Sequence, residues 1–160
     1  MVDKNQAVIN FLLQCPTIIN NPVYFNFLNA KDNDKQIITQ SNDKTLDKNY
    51  VEGSIMKRFT FTIIDFRSVA YLPIPNIAGY ANENVEEMFD VQGILDWVNA
   101  QADAENYPDF GESCVIDSME TTSDTPNLNG VDTSVTPALA KYSISIQIDY
   151  IDKSKAIWNN

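Results

Sequence analysis

The sequence predicts an α+β fold: a mainly antiparallel sheet of about five strands with two helices on one face, in the order α-β-β-β-α-β-β. Three observations carry this expectation. From Ala140 to Ile151 (AKYSISIQIDYI), Tyr142, Ile144, Ile146, Ile148 and Tyr150 alternate with Lys141, Ser143, Ser145, Gln147 and Asp149, which is the two-residue period of a half-buried strand. Ile55 to Val69 alternates in the same way, with Phe59, Phe61 and Ile63 on one side and Thr60, Thr62 and Ile64 on the other. Two further stretches, near residues 3–15 and 84–104, repeat apolar residues every three or four positions, the period of a helix packed on one face.

Taken in order, Asp3 is placed to cap a helix with Gln6 three residues on, Val8, Phe11, Leu12 and Cys15 share its buried face, and Pro16 ends it. VYFNFL (23–28) and QIITQ (36–40) are rich in aromatic and branched residues and read as a hairpin. Residues 41–54 are polar and end in a glycine-serine pair, which predicts a long loop or arm. After the long strand, two prolines and a glycine in YLPIPNIAGYAN break regular structure, and Asn84 with Glu87 forms a capping box for the second helix. Its expected stripe is Val85, Met88, Phe89, Gln92, Leu95, Val98 and Ala102, widened by Val91, Ile94 and Trp97. A Pro-Gly turn (107–111) feeds a strand at 113–121, residues 122–138 form a second long loop, and 152–160 is a C-terminal tail.

The 160 residues are read as a single domain, 1–160, large enough for a core without a staple. There is no histidine, which removes histidine-based nucleophilic triads and the commonest zinc ligand. Cys15 and Cys114, far apart in sequence, read as reduced core residues. No apolar run of membrane-spanning length and no signal segment occurs, so the expectation is a soluble chain of the cytoplasm. The net charge of −11 is unevenly spread: residues 68–140 hold thirteen acids and no base, and the remainder holds nine acids and all eleven bases. Such a segment is either a solubilising face or an acidic surface that repels nucleic acid or docks a basic partner.

Several familiar motifs fail on their chemistry. Asp109-Phe110-Gly111 is the magnesium-holding triplet of protein kinases, but the glycine-rich loop and the His-Arg-Asp loop that must accompany it are missing. Thr125 to Thr136 places Asn127, Asn129 and Gly130 as in a calcium loop, yet lacks the aspartate and bidentate glutamate at its ends. Glu86 and Asp90 lie one helical turn apart, as a paired-carboxylate acid/base site would need, but on a helix whose apolar stripe lies elsewhere they read as exposed. Lys57 with Arg58 is too small a basic patch for sequence-specific nucleic-acid binding. The chain is therefore expected to be no enzyme, with no cofactor and no metal.

Six segments, QAVINFLLQCP, KRFTFTIIDF, VEEMFDVQGILDWVNAQ, NYPDFGESC, PNLNGVD and LAKYSISIQIDYID, together resemble the minor capsid or tail-completion (tail terminator) proteins of long-tailed phages and prophages of Gram-positive bacteria. The resemblance implies a virion protein, made in the host cytoplasm, that closes into a ring of about six copies. It further implies the tail tube protein and the head-tail connector as partners, with double-stranded DNA passing through without specific binding and no membrane involved. In such a ring, carboxylates repel the phosphates that lysines would hold. Asp103, Glu105, Asp109 and Glu112, clustered where the second helix meets the next turn, are then the expected channel-facing residues. The arm at 41–54 and an unpaired edge of the last strand would suit head-to-tail packing. The alternative reading is an acidic DNA mimic or inhibitor that binds a basic partner; a third is a hydrolase working with carboxylates alone, which needs a buried pair of them in a pocket.

Overall fold

The computed structural model describes residues 2–19, 23–25, 35–39, 44–68, 78–135 and 138–157, and for residues 23, 25, 35–39, 47–49 and 78–88 it describes the backbone alone. The elements run α1 (Lys4–Leu12), α2 (Pro16–Ile19), β1 (Val23–Phe25), β2 (Lys35–Thr39), β3 (Lys44–Asn49), β4 (Ile55–Ser68), α3 (Ala78–Asp103), β5 (Cys114–Thr121), β6 (Asn127–Asp132) and β7 (Leu139–Asp152). The α+β class and the mainly antiparallel sheet are as expected, with seven strands in the described residues.

The two strongly alternating strands form the spine. β4 and β7, each 14 residues long, pair antiparallel in unbroken register from Ile55 opposite Asp152 to Ser68 opposite Leu139. β2 lies along the second half of β4 and β3 along its first half, while β5 flanks the second half of β7 and β6 its first half. β1 pairs with β2 in parallel.

Phe59, Phe61 and Ile63 of β4 and Tyr142, Ile144, Ile146, Ile148 and Tyr150 of β7 point to one face. Ala7, Val8, Phe11 and Leu12 of α1, Cys15, Ile18 of α2, and Val91, Ile94, Leu95 and Val98 of α3 cover it. Phe11 meets Trp97 of α3 with ring centroids 5.1 Å apart, joining the helices over the sheet. Each fully buried large apolar side chain contributes about 1.5–3 kcal/mol, so this one layer is the main source of stability. The opposite face carries polar cross-strand pairs. Arg58 donates twice to Asp149 at 2.7 and 2.8 Å, the Thr62 and Ser145 hydroxyls meet at 2.9 Å, and Gln147 donates to Glu120. Met56 and Phe66, near the ends of β4, are buried on that face too.

Several local expectations are corrected. Segments 41–54 and 122–138 are not simply loops, because residues 44–49 and 127–132 are strands β3 and β6. Their polar sequences carry no alternation, and pairing with the outer sides of β4 and β7 supplies what propensity does not. The strand runs near 23–28 and 36–40 do not form a hairpin, since β1 and β2 are parallel; aromatic and branched residues signal a strand but not its direction. The last strand has no unpaired edge: β7 is central, with β4 on one side and β5 and β6 on the other. Pro16 opens α2 rather than ending α1, the position where its missing N–H costs nothing. The second helix starts at Ala78, so Asn84 and Glu87 lie inside it and not at its N-terminus.

Phe89 is also misplaced in the expected stripe, being 68% exposed. Val91, Ile94, Leu95 and Val98 define a narrow arc, and Phe89 sits roughly 170° around the helix from its centre at about 100° per residue. The expected burial of Val85 and Met88 lies outside the described side chains. At the start of the first helix, Asp3 accepts from the Asn5 N–H at 2.9 Å, while Gln6 donates to Asn10 instead of closing a capping box.

The turn into β4 holds two tight positions. Gly53 has φ +96, and a Cβ there would lie 2.7 Å from the Lys155 carbonyl oxygen, so only glycine fits. Beside it Ser54 is 1% exposed and its hydroxyl has no hydrogen-bond partner. Replacing it with alanine removes a buried polar atom without opening a large hole. Ser54→Ala is expected to raise stability by about 1 kcal/mol in a urea melt, and a lower midpoint would show the hydroxyl to be satisfied in solution.

Candidate functional site

The four carboxylates expected to face a channel lie where α3 runs into β5, at the end of the molecule where β4 begins and β7 finishes. α3 closes with Glu105 N–H donating to the Ala102 carbonyl at 3.0 Å and Asn106 N–H to the Gln101 carbonyl at 2.9 Å, and Glu105 takes a left-handed φ of 54. This is the reversal that ends many helices, made here without glycine. The kinase-like triplet that follows is a structural turn. Asp109 accepts from the Gly111 N–H at 2.9 Å, and Phe110 is buried edge-on against Phe59 and Tyr150 with centroids 5.7 and 5.3 Å away. Gly111 has φ +90, and a Cβ on it would sit 2.8 Å from the Val2 side chain. Phe110 thus anchors the turn to the core.

Asp103, Glu105, Asp109 and Glu112 are all exposed. Sequence reasoning missed the bases that fold back beside them. Lys4 stands with its Nζ 6.0 Å from the Phe110 ring and 5.2 Å from the Tyr150 ring. Lys153, next to the last strand, donates its backbone N–H to the Ser113 carbonyl at 2.7 Å. Lys57 bonds Asp152 at 2.7 Å, and Asp152 is paired across the sheet with Cys114. A stretch that is free of bases in sequence is flanked by them in space.

Around Cys114 the electrostatics are specific. Burial pushes its thiol pKa up, and the nearby Lys4 and Lys57 only partly oppose this. The thiol is a poor nucleophile in consequence, and both cysteines are free. At Asp152 burial acts to raise the pKa, but the Lys57 ammonium and the Ser154 hydroxyl and N–H outweigh it and hold the carboxyl at about 2. A depressed carboxylate pKa stabilises the fold above the unfolded value of about 4, and that contribution is lost as pH falls through about 2. Lys57→Met is expected to be less stable than wild type at pH 7, with the gap narrowing in denaturant melts taken from pH 4 down to pH 2. A gap that stayed constant would remove the pair as its source.

Beside the acidic turn lies a cleft of about 340 Å³ between α1 and residues 107–109, lined by Val2, Asp3, Gln6, Ala7, Asn10, Phe11, Gln14, Tyr107, Pro108 and Asp109. Only Asp109 of the four expected residues reaches it. At the far end of the sheet is a buried ion pair that sequence reasoning also missed. Arg67, 5% exposed, donates to both oxygens of Asp65, 1% exposed, at 3.0 and 3.1 Å, and reaches Asp90 of α3 at 3.4 Å. Opposite charges two residues apart, continuing the apolar face of Phe59, Phe61 and Ile63, were the available signal. Asp90 thus faces a guanidinium, and the side chain of Glu86 lies outside the described residues. Asn127 and Asn129 are strand residues of β6, which the calcium-loop spacing did not foresee.

No protein-family model matches this chain, and a search of curated proteins finds no match either. No described helix is long and apolar enough to cross a membrane.

Proposed function

We propose that this chain is a structural virion protein of a long-tailed phage or prophage: a tail-completion protein whose copies, about six, form a ring that caps the tail tube and joins it to the head-tail connector. Its place would be the head-tail junction, reached by assembly in the host cytoplasm. No bond is made or broken in this role, so it calls for no catalytic residue, cofactor or metal.

The observation that supports this reading most directly is the exposed acidic turn, with Asp103, Glu105, Asp109 and Glu112 all turned to solvent on a segment anchored by Phe110. Repeated around a ring, four carboxylates per copy would form a collar that DNA passes without sticking. Lys4, beside Phe110, lowers the net repulsion of each copy, and physiological salt limits the reach of the collar to roughly 8 Å. The broken register of β5 and β6 at Ile116/Ser118 and Leu128/Val131 makes strand-to-strand pairing along that edge unfavourable, so ring contacts would be made by side chains.

Two measurements test the reading. Antibody labelling of virions in the electron microscope should place the protein at the head-tail junction, and mass measurement should find a closed oligomer once tail tubes are added. A single copy per virion, or a stoichiometric complex with a basic enzyme in place of the tube, overturns it in favour of the DNA-mimic alternative. Changing the four acids to lysine should leave tails complete and slow DNA ejection most at low salt. Normal ejection there would leave the acids with only a solubilising role.

A further inference from the structure

The cleft between α1 and the 107–109 turn has a chemistry that the terminator reading does not use. Along one side stand three amide side chains, Gln6, Asn10 and Gln14, at a constant spacing of four residues. Four residues of helix advance by about 6 Å. An extended polypeptide repeats every second residue at about 6.4–6.8 Å, so Gln6 and Asn10 on α1 come nearly into step with alternate peptide units of a strand laid beside it, and Gln14 follows in the turn just past the helix. A side-chain amide offers one donor and one acceptor in the geometry of a peptide group and can bond a backbone N–H and C=O together. Gln6 and Asn10 are bonded to each other at 2.9 Å, which holds both amides in line along the helix.

The other walls add selectivity. Tyr107 and Pro108 face the helix and Phe11 forms an apolar floor, fit for one apolar side chain. Asp3 and Asp109 stand in the same lining, where each accepts a backbone hydrogen bond at Oδ1, from Asn5 N–H and Gly111 N–H. The residues that line the cleft include two carboxylates and no base. A hexose chain suits this site less well, because Tyr107 is half-buried and offers no open stacking platform.

We propose that this cleft binds an extended, lysine- or arginine-bearing segment of a partner protein, with main-chain hydrogen bonds to Gln6, Asn10 and Gln14 and the basic side chain drawn to Asp3 and Asp109. The step from Gln6 to Asn10, about 6 Å along α1, matches two residues of extended chain, and Gln14 in the turn beyond Leu12 lengthens the row. Such a contact is short, so it is weak by itself and gains affinity when several copies act together.

The test is a nuclear magnetic resonance titration of 15N-labelled protein with the capped peptide Ac-Val-Lys-Val-Lys-Val-NH2. The side-chain amide signals of Gln6, Asn10 and Gln14 are expected to shift and saturate in the millimolar range. Asn10→Ala keeps the helix, since alanine is the best helix former, and should weaken binding about tenfold or more. Asp3→Asn and Asp109→Asn retain the acceptors that the fold uses; together they should weaken the lysine peptide about tenfold and leave Ac-Val-Gln-Val-Gln-Val-NH2 unchanged. The proposal is overturned if the amides do not move at about 5 mM peptide, if Asn10→Ala binds like wild type, or if maltotriose shifts the same signals and the peptide does not. None of these outcomes bears on whether the protein sits at a head-tail junction.

Discussion

Ile146→Asp is expected to leave the chain unfolded at 25 °C. Ile146 is 0% exposed, sits mid-strand in β7, and is flanked across the sheet by Phe61 on β4 and Thr121 on β5, with the helical layer above it. The substitution gives up about 2–3 kcal/mol of apolar burial and places a carboxylate in the apolar cluster that holds Phe61, Ile144 and Ile148. An unpaired buried charge costs several kcal/mol more, and the sum reaches the whole stability of a typical domain, about 5–15 kcal/mol. Far-ultraviolet circular dichroism and a thermal melt read the result. Ile146→Val, which removes one methylene, is expected to cost only about 0.5–1.5 kcal/mol and to melt cooperatively. A wild-type melt for the aspartate variant would show that this residue does not face the core.

Arg67→Met is the second large effect, and it acts through what is left behind. Asp65 is 1% exposed and accepts from the Arg67 guanidinium at both oxygens. Removing one partner of a buried pair costs about 3–5 kcal/mol because the other charge stays desolvated. The same substitution releases Asp90, 64% exposed, and with it a tie between β4 and the first half of α3. Because Asp90 is exposed, that tie contributes little, and Asp90→Asn is expected to cost under about 1 kcal/mol. The double variant Arg67→Met, Asp65→Leu should recover most of the loss, since replacing both members of a buried pair with apolar residues is often near neutral. If the double variant is as unstable as Arg67→Met alone, the pair holds the end of the sheet through geometry rather than through compensation of charge. Urea melts of the four proteins distinguish these outcomes.

For the candidate site, the sequence located the acids at the end of a helix and on the turn that follows it, and all four are exposed. It did not reveal their company. Lys4 comes from the first helix and stands beside Phe110 of the turn, Lys57 comes from the fourth strand and bonds Asp152, and Lys153, beyond the last strand, bonds the Ser113 carbonyl through its backbone N–H. Charge counted along a chain averages over neighbours in sequence, whereas potential at a surface sums over neighbours in space. The cleft beside the turn was equally invisible, since its two walls are about a hundred residues apart.

By itself the sequence determined the elements whose periodicity is strong. β4, β7 and the buried face of α1 are where alternation or helical spacing placed them, because a residue's side of a strand or helix follows from backbone geometry alone. The same periodicity told the helix-covered face from the polar one and so set the α+β class. Only the tertiary structure decided the rest. β3 and β6 are strands because β4 and β7 are longer than the neighbours that would otherwise flank them and offer backbone groups that must be bonded. β7 is central and β1 runs parallel to β2 because order and direction in a sheet depend on which long-range pairing closes the core, which no local period encodes. Phe89 is exposed because the helix can turn only one arc to the sheet, and Val91, Ile94, Leu95 and Val98 occupy it.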